Sequence, residues 1–573
     1  MKIVLKHLEE FKVASILAPL FKMLEALFDL LVPMVVARII DNGVSNGDTS
    51  YIFKHFILLI VLALVGLGCS VVAQFFAAKA SVGCVTNIRQ SLFDHIQSFS
   101  YKELDKLGSS TLITRMTSDI NQIQTGLNLF LRLAMRSPFV VLGSLLMAFL
   151  IDVKCGFVFL VVIPILAVVV FAIMLVSVPL YRKSQTYLDK VTDLTRENLT
   201  GVRVLRAFRQ EDKNVADFEL ENNRLRKQNE FVGRISSLMN PLTYVIINLA
   251  TVVLIKVGAI QVNNGLLSSG EVVALYNYMA QIVVELIKFA DLVIQINRAA
   301  ACAERVESIV NIHDEMEYPI NSADVRDGDY ISFNHVFFKY EDGADYALSD
   351  IDFKVKKGMR VGVIGGTGSG KSTLMNVLAR FYDIDQGEVM IDGNDIKDYT
   401  QSDLRKMFSI VPQKAMLFAG SVRDNLKWGN NQASDEEMNE ALSLAQAKEV
   451  FDQKDGLDTI LEQNGRNLSG GQKQRLTIAR ALVKKGDILI LDDSSSALDY
   501  ATDAKLRKSL RTLDDVTTFI VSQRTASIKD ADLILVLDDG QLVGKGSHEE
   551  LMNSCEVYQD IYYSQYPKES EVK

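Results

Sequence analysis

The residues best equipped for chemistry are Gly365, Gly366, Thr367, Gly368, Ser369, Gly370, Lys371, Ser372 and Thr373. The spacing is G-x4-G-K-S, after the strand-like run 360–364 and before a helical pattern over 374–381. Strand, glycine-rich loop and helix in that order form a phosphate-binding P-loop. Its glycines let backbone N–H groups crowd round the phosphates, and the helix N-terminus adds its positive end. Lys371 is placed for β- and γ-phosphates, and the Ser372 hydroxyl for Mg²⁺. A second run, Ile488, Leu489, Ile490 and Leu491, reads as a buried strand ending in Asp492 and Asp493. Set beside the P-loop strand, it would put Asp492 on the Mg²⁺ of a nucleoside triphosphate.

The elements that must carry this site occupy only half the chain. Of 573 residues, 49% are hydrophobic, and the mean hydropathy is +0.15. No Asp, Glu, Lys or Arg falls between Lys54 and Lys79, between Lys154 and Arg182, or between Arg234 and Lys256. About 20 apolar residues cross a bilayer, so each stretch is long enough to span. Residues 138–151, extended back through Leu133, add a fourth span. Residues 11–40 and 272–296 add two that carry Lys22, Glu25 and Asp29, and Glu285, Lys288 and Asp291. Six spans return both termini to one side. Loops 41–50 and 261–270 hold no Lys or Arg and are expected outside; the basic 182–234 connection is expected in the cytoplasm. Lys22, Glu25 and Asp29 share one helix face, as do Glu285, Lys288 and Asp291. They suit either a polar substrate path or ion pairs within each helix.

A net charge of −9 argues against nucleic-acid binding. Five scattered cysteines (Cys69, Cys84, Cys155, Cys302 and Cys555) read as free thiols without a metal or disulfide framework. The first residues lack the pattern of a cleaved signal peptide. The expected organisation is a transmembrane domain over 1–310, a linker over 311–328, an α/β nucleotide-binding domain over 329–565 and a tail over 566–573.

Leu468, Ser469, Gly470, Gly471 and Gln472 then identify a resemblance. This is the signature of ABC transporter ATPases, and with membrane domain first and nucleotide-binding domain second the chain resembles an ABC exporter half-transporter. The fold so implied is a multidomain membrane protein: an all-α six-helix transmembrane domain followed by an α/β P-loop ABC domain. Gln413, after Val411 and Pro412, matches the Q-loop, which implies a place at Mg²⁺ and the attacking water. Tyr340 matches the aromatic that stacks on adenine, and 496–499, ending at Asp499, resembles the D-loop. Residues 107–119 and 197–201 look like the two loops that dock on nucleotide-binding domains. The resemblance implies two halves holding two ATP molecules, each between the P-loop of one half and the signature of the other. Ser469 and Gly471, opening a helix, form an anion site suited to a partner's γ-phosphate.

Two residues depart from the family's pattern. Where hydrolysing members place glutamate after the Mg²⁺ aspartate, this chain has Asp493; its carboxylate falls short by about 1 Å, a misplacement that can cost about 100-fold in rate. Where they place a histidine after the following strand, it has Gln523, which can hydrogen-bond but carries no positive charge. The pattern resembles the degenerate-site subunit of heterodimeric bacterial multidrug exporters. The expected partners are a second half-transporter of different sequence, the plasma membrane and small amphipathic compounds. The expected cofactors are ATP and Mg²⁺, with both termini and the nucleotide-binding domain in the cytoplasm. The competing readings are a homodimeric lipid or peptide exporter, and a nucleotide-gated regulatory subunit that does not pump. No peptidase-like domain is expected before the first span, which weakens peptide processing.

Overall fold

A computed structural model describes residues 1–314, 316–322, 329–341, 343–513 and 515–566. Part of the expected linker (315 and 323–328) and nearly all of the expected tail (567–573) lie outside the described residues. The chain divides into two units, one formed by Met1–Ser98 with Gly108–Ile312, the other by Phe99–Leu107 with His313 onward.

The first unit is helical. Asp48 accepts a bond from Tyr51 N at 3.0 Å and so caps Thr49–Gln97; Asp152 accepts from Cys155 N at 2.8 Å and caps Val153–Ala207. Ser268 and Glu271 form a reciprocal capping box at the start of Ser269–Val310. Four helical stretches, Thr49–Gln97, Ser109–Ile151, Val153–Ala207 and Glu211–Asn263, are long and apolar enough to cross a membrane. The other two expected spans fall on the helices Lys12–Arg38 and Ser269–Val310, which have the length but are interrupted by charge. Large apolar side chains on the spans, including Phe56, Leu64, Val71, Leu160, Val168 and Val252, face outward. That surface suits lipid, as water would leave it an aggregation liability.

The charged residues of the two interrupted helices are joined through Arg136, at the start of Arg136–Ile151. Its guanidinium donates to Glu285 Oε1 at 2.5 Å and to Asp29 Oδ2 at 2.9 Å, and lies 3.9 Å from Glu25. Lys22 Nζ donates to Glu25 Oε2 at 2.6 Å, Lys288 Nζ to Glu285 Oε1 at 3.0 Å and Ser137 Oγ to Glu285 Oε2 at 2.8 Å. The pairs within each helix therefore form, and an interhelical network is added to them.

The second unit is built on two sheets. The larger has the order Gln541–Gly546, Leu533–Asp538, Arg360–Gly365, Thr517–Val521, Ile488–Asp492, Phe408–Val411. All neighbours in it run parallel except the Gln541–Gly546 edge. Strands such as Ile488–Asp492 read as unbroken apolar runs because the sheet is buried on both faces. The strand of Asp492 is not beside the P-loop strand: Thr517–Val521 pairs with both and separates them. The smaller, antiparallel sheet orders Leu348–Val355, Ile331–Phe338, Gln386–Ile391 and Asn394–Asp395.

The short helix Tyr101–Leu107 belongs to this unit. Its Tyr101 ring lies 4.4 Å from Phe381, and the Tyr382 hydroxyl donates to Asp105. The contact expected from 107–119 is thus made a few residues earlier. Residues from Gly108 stay with the helical unit, where Arg305 donates to both oxygens of Asp119, at 2.6 and 3.0 Å. Residues 197–201 lie inside the uninterrupted helix Val153–Ala207.

Candidate nucleotide site

The C-terminal ends of three parallel strands, at Gly365, Asp492 and Val521, face one cavity, where open α/β sheets bind ligands. The cavity has a volume of about 210 Å³; its lining includes Thr367, Gly368, Gly370, Lys371, Ser372, Thr373, Gln413, Asp492, Asp493 and Gln523. The strand between the P-loop and Asp492 does not keep them apart, because the ends converge: Ser372 Oγ donates to Asp492 Oδ1 at 3.1 Å.

The loop turns through glycines where other residues would be strained. Gly368 and Gly370 have φ of +83° and +94°. A Cβ at Gly365 would stand 2.1 Å from Leu537 O, so the loop leaves its strand against the neighbouring one. Lys371 Nζ donates to Gly365 O at 3.0 Å and Gly366 O at 2.5 Å, with Ser369 Oγ at 3.4 Å. Burial depresses the ammonium's pKa, against the pull of Asp492 and Asp493.

The two carboxylates are also under strain of charge. Burial raises the pKa of Asp492, the charge of Asp493 raises it further, and Ser372 and Lys371 oppose both. Burial likewise raises Asp493, opposed by Ser496, Arg524, Gln413 and Lys371. Adjacent carboxylates held in this way favour a cation between them and the phosphates. Asp493 occupies the left-handed region at φ +44°, fixed by its N–H donating to Val521 O at 3.0 Å.

A magnesium–nucleotide complex fits this donor set. Open space stands over Gly366 and Gly368 where a Cβ would lie, so a phosphate chain can approach the backbone. Ser372, Asp492 and Gln413 are hard oxygen donors of the kind Mg²⁺ takes. Tyr340 bonds Thr373 through its hydroxyl at 2.9 Å and is 41% exposed, which leaves ring surface for a base.

Ser469, Gly470, Gly471 and Gln472 are not part of the cavity wall. Ser469 and Gln472 instead form a capping box on the helix Gly470–Lys484. Ser469 and Gly470 are exposed, so the helix end is open to a partner. Asp499, expected at the nucleotide, caps Tyr500–Leu510: Thr502 N and Oγ1 donate to its two oxygens at 2.9 and 2.8 Å. Sequence reasoning passed over Arg524 and Gln565. The Arg524 guanidinium lies 5.1 Å over the Tyr500 ring, and its positive charge opposes the burial-driven rise of the Asp493 carboxyl. Its position next to Gln523 was the available signal; Gln565, 42 residues further on, had none.

Residues 15–286 match the ABC transporter transmembrane region, and residues 348–496 match the ABC transporter family. The chain is 34% identical to the ABC transporter ATP-binding protein YfiB of Bacillus subtilis over 566 residues, 99% of this chain and 98% of that protein. It is 28% identical to the ATP-dependent lipid A-core flippase of Vibrio vulnificus over 549 residues, 95% of this chain and 94% of the flippase. The fold matches a bacterial Atm1-family ABC exporter solved with ATP bound, at a TM-score of 0.80 and 23% identity, covering 98% of this chain and 99% of that one.

Proposed function

Since the chain belongs to the ABC transporter family, as an exporter subunit that binds ATP with Mg²⁺ and couples its hydrolysis to transport, we propose that it is the degenerate-site half of an asymmetric pair. ABC exporters work as dimers in a lipid bilayer, and this chain is a multi-pass membrane protein. The proposed partner is a second half-transporter of different sequence, and the cargo drugs or other amphipathic compounds. We place residues 1–310 in the membrane domain and 329–565 in the nucleotide-binding domain, the latter in the cytoplasm with both termini.

The observation that carries this reading is the rim of the cavity, where Asp493 and Gln523 both line the wall. The loop amides and Lys371 would hold the β- and γ-phosphates; Ser372, Asp492 and Gln413 would hold Mg²⁺. Bound ATP supplies the free energy of the cycle. Asp493, a methylene short of the family's glutamate, orients water poorly, and Gln523 offers the γ-phosphate a hydrogen bond without charge. Binding survives and turnover is slow. Ser469–Gln472, intact and with Ser469 and Gly470 exposed, would complete the partner's site, and nucleotide held at the slow site would keep the two domains in contact between cycles.

The likeness to lipid A-core flippases favours a second reading, in which the cargo is a lipid. The test of the first is Mg²⁺-dependent ATPase activity of the purified chain alone, beside Asp493→Asn. Negligible hydrolysis with ATP still bound supports the asymmetric pair. Brisk hydrolysis lost in the variant would mean a working homodimer.

A further inference from the structure

We propose that Gln565 is a positioning residue for Gln523, so that the helix Glu556–Gln565 sets how the site senses a γ-phosphate. This rests on the reading of Gln523 as the γ-phosphate contact.

Gln523 lies just past the strand Thr517–Val521, and its side chain is exposed. The backbone just after it, on either side of Arg524, is held from one point. Gln565 Nε2 donates to Gln523 O at 2.7 Å, and Gln565 Oε1 accepts from both Thr525 N and Thr525 Oγ1 at 2.9 Å. The amide orientation follows from the partners: a backbone carbonyl can only accept, and a backbone N–H can only donate. One side chain therefore spans the turn that presents Gln523.

The helix behind Gln565 is fixed to the phosphate loop's own strand. Tyr558 is fully buried in a cluster with Ile364, Ile528, Ile534, Val536, Leu551 and Cys555. Ile364 is the residue before the P-loop, and Ile528 ends the short helix that Thr525 begins. His548 Nδ1 pairs with the Tyr558 hydroxyl at 2.8 Å. The same helix thus packs on the strand that leads into the phosphate loop and holds the turn that follows Gln523. The spacing between these two parts is what distinguishes a triphosphate from a diphosphate.

The test is competition of ATP and of ADP, each with Mg²⁺, against a fluorescent nucleotide on the full chain in nanodiscs. Gln565→Met removes both halves of the grip at similar size. Gln565→Glu keeps the acceptor toward Thr525 but sets an oxygen against the Gln523 carbonyl. Both variants should lower the preference for ATP over ADP by about 3- to 10-fold, with ADP affinity unchanged. Combined with Gln523→Ala, neither should lower the preference below that of Gln523→Ala alone. Equal weakening of ATP and ADP, or a wild-type preference in Gln565→Glu, would reduce Gln565 to a structural stitch and overturn the proposal. If Gln523→Ala alone leaves the preference intact, the reading of Gln523 itself falls, and this outcome is separable from the others.

Discussion

Two charge clusters are organised in opposite ways. In the helical unit Arg136 ties Glu25, Asp29 and Glu285 together, with Lys22 and Lys288 supplying the remaining cations. Three positive and three negative groups balance, and the helices carrying them are drawn to one point. In the nucleotide site Asp492 and Asp493 stand side by side with raised pKa values, and the Lys371 ammonium is depressed by burial. Charge that is paired internally serves the fold. Charge held at a cost beside an open cavity serves a ligand. By this contrast the Arg136 network is first a structural tie, and the P-loop corner is the functional centre.

The contrast can be broken most severely at Arg136. Arg136→Ala leaves Glu285, with a side chain 5% exposed, beside fewer cations. Breaking a buried pair from one side costs about 3–5 kcal/mol, so thermal unfolding in detergent should fall well below wild type while ATP affinity in the surviving folded fraction stays unchanged. A wild-type melting temperature would show the network to be dispensable for the fold and reopen it as a substrate path. Lys371→Ala should behave in the reverse way. Its Kd for ATP should weaken by about 100-fold through loss of a charge-assisted contact, with no loss of thermal stability. The contrast is sharpened at Asp492: Asp492→Asn relieves repulsion with Asp493, so the nucleotide-free chain should melt slightly higher, by about 1 kcal/mol or less. The same variant should lose the stabilisation that Mg²⁺ adds to bound ATP, as read by melting with and without a chelator.

What could be read from the sequence follows the same division. The P-loop and Asp492 are local: each motif lies within a few residues, and backbone geometry ties it to one strand end. Four of the six expected spans were legible because lipid demands long uninterrupted apolar runs. The Arg136 network was not, since its three segments lie more than 100 residues apart and only packing brings Asp29 and Glu285 to one guanidinium. The strand inserted between those of Gly365 and Asp492 was missed for a related reason, because a parallel sheet is assembled in an order unlike that of the chain. Gln565 escaped notice because a lone glutamine carries no pattern until its helix is docked.

The central claim is that this site binds well and turns over poorly because of Asp493 and Gln523. The most direct measurement is steady-state ATPase rate and ATP affinity of two copies of the full chain paired in one nanodisc, so that each site meets a signature, wild type against the double variant Asp493→Glu with Gln523→His. The rate should rise by about 10- to 100-fold, with affinity changed by less than about 2-fold. A wild-type chain that already hydrolyses briskly, with no gain in the double variant, would contradict it.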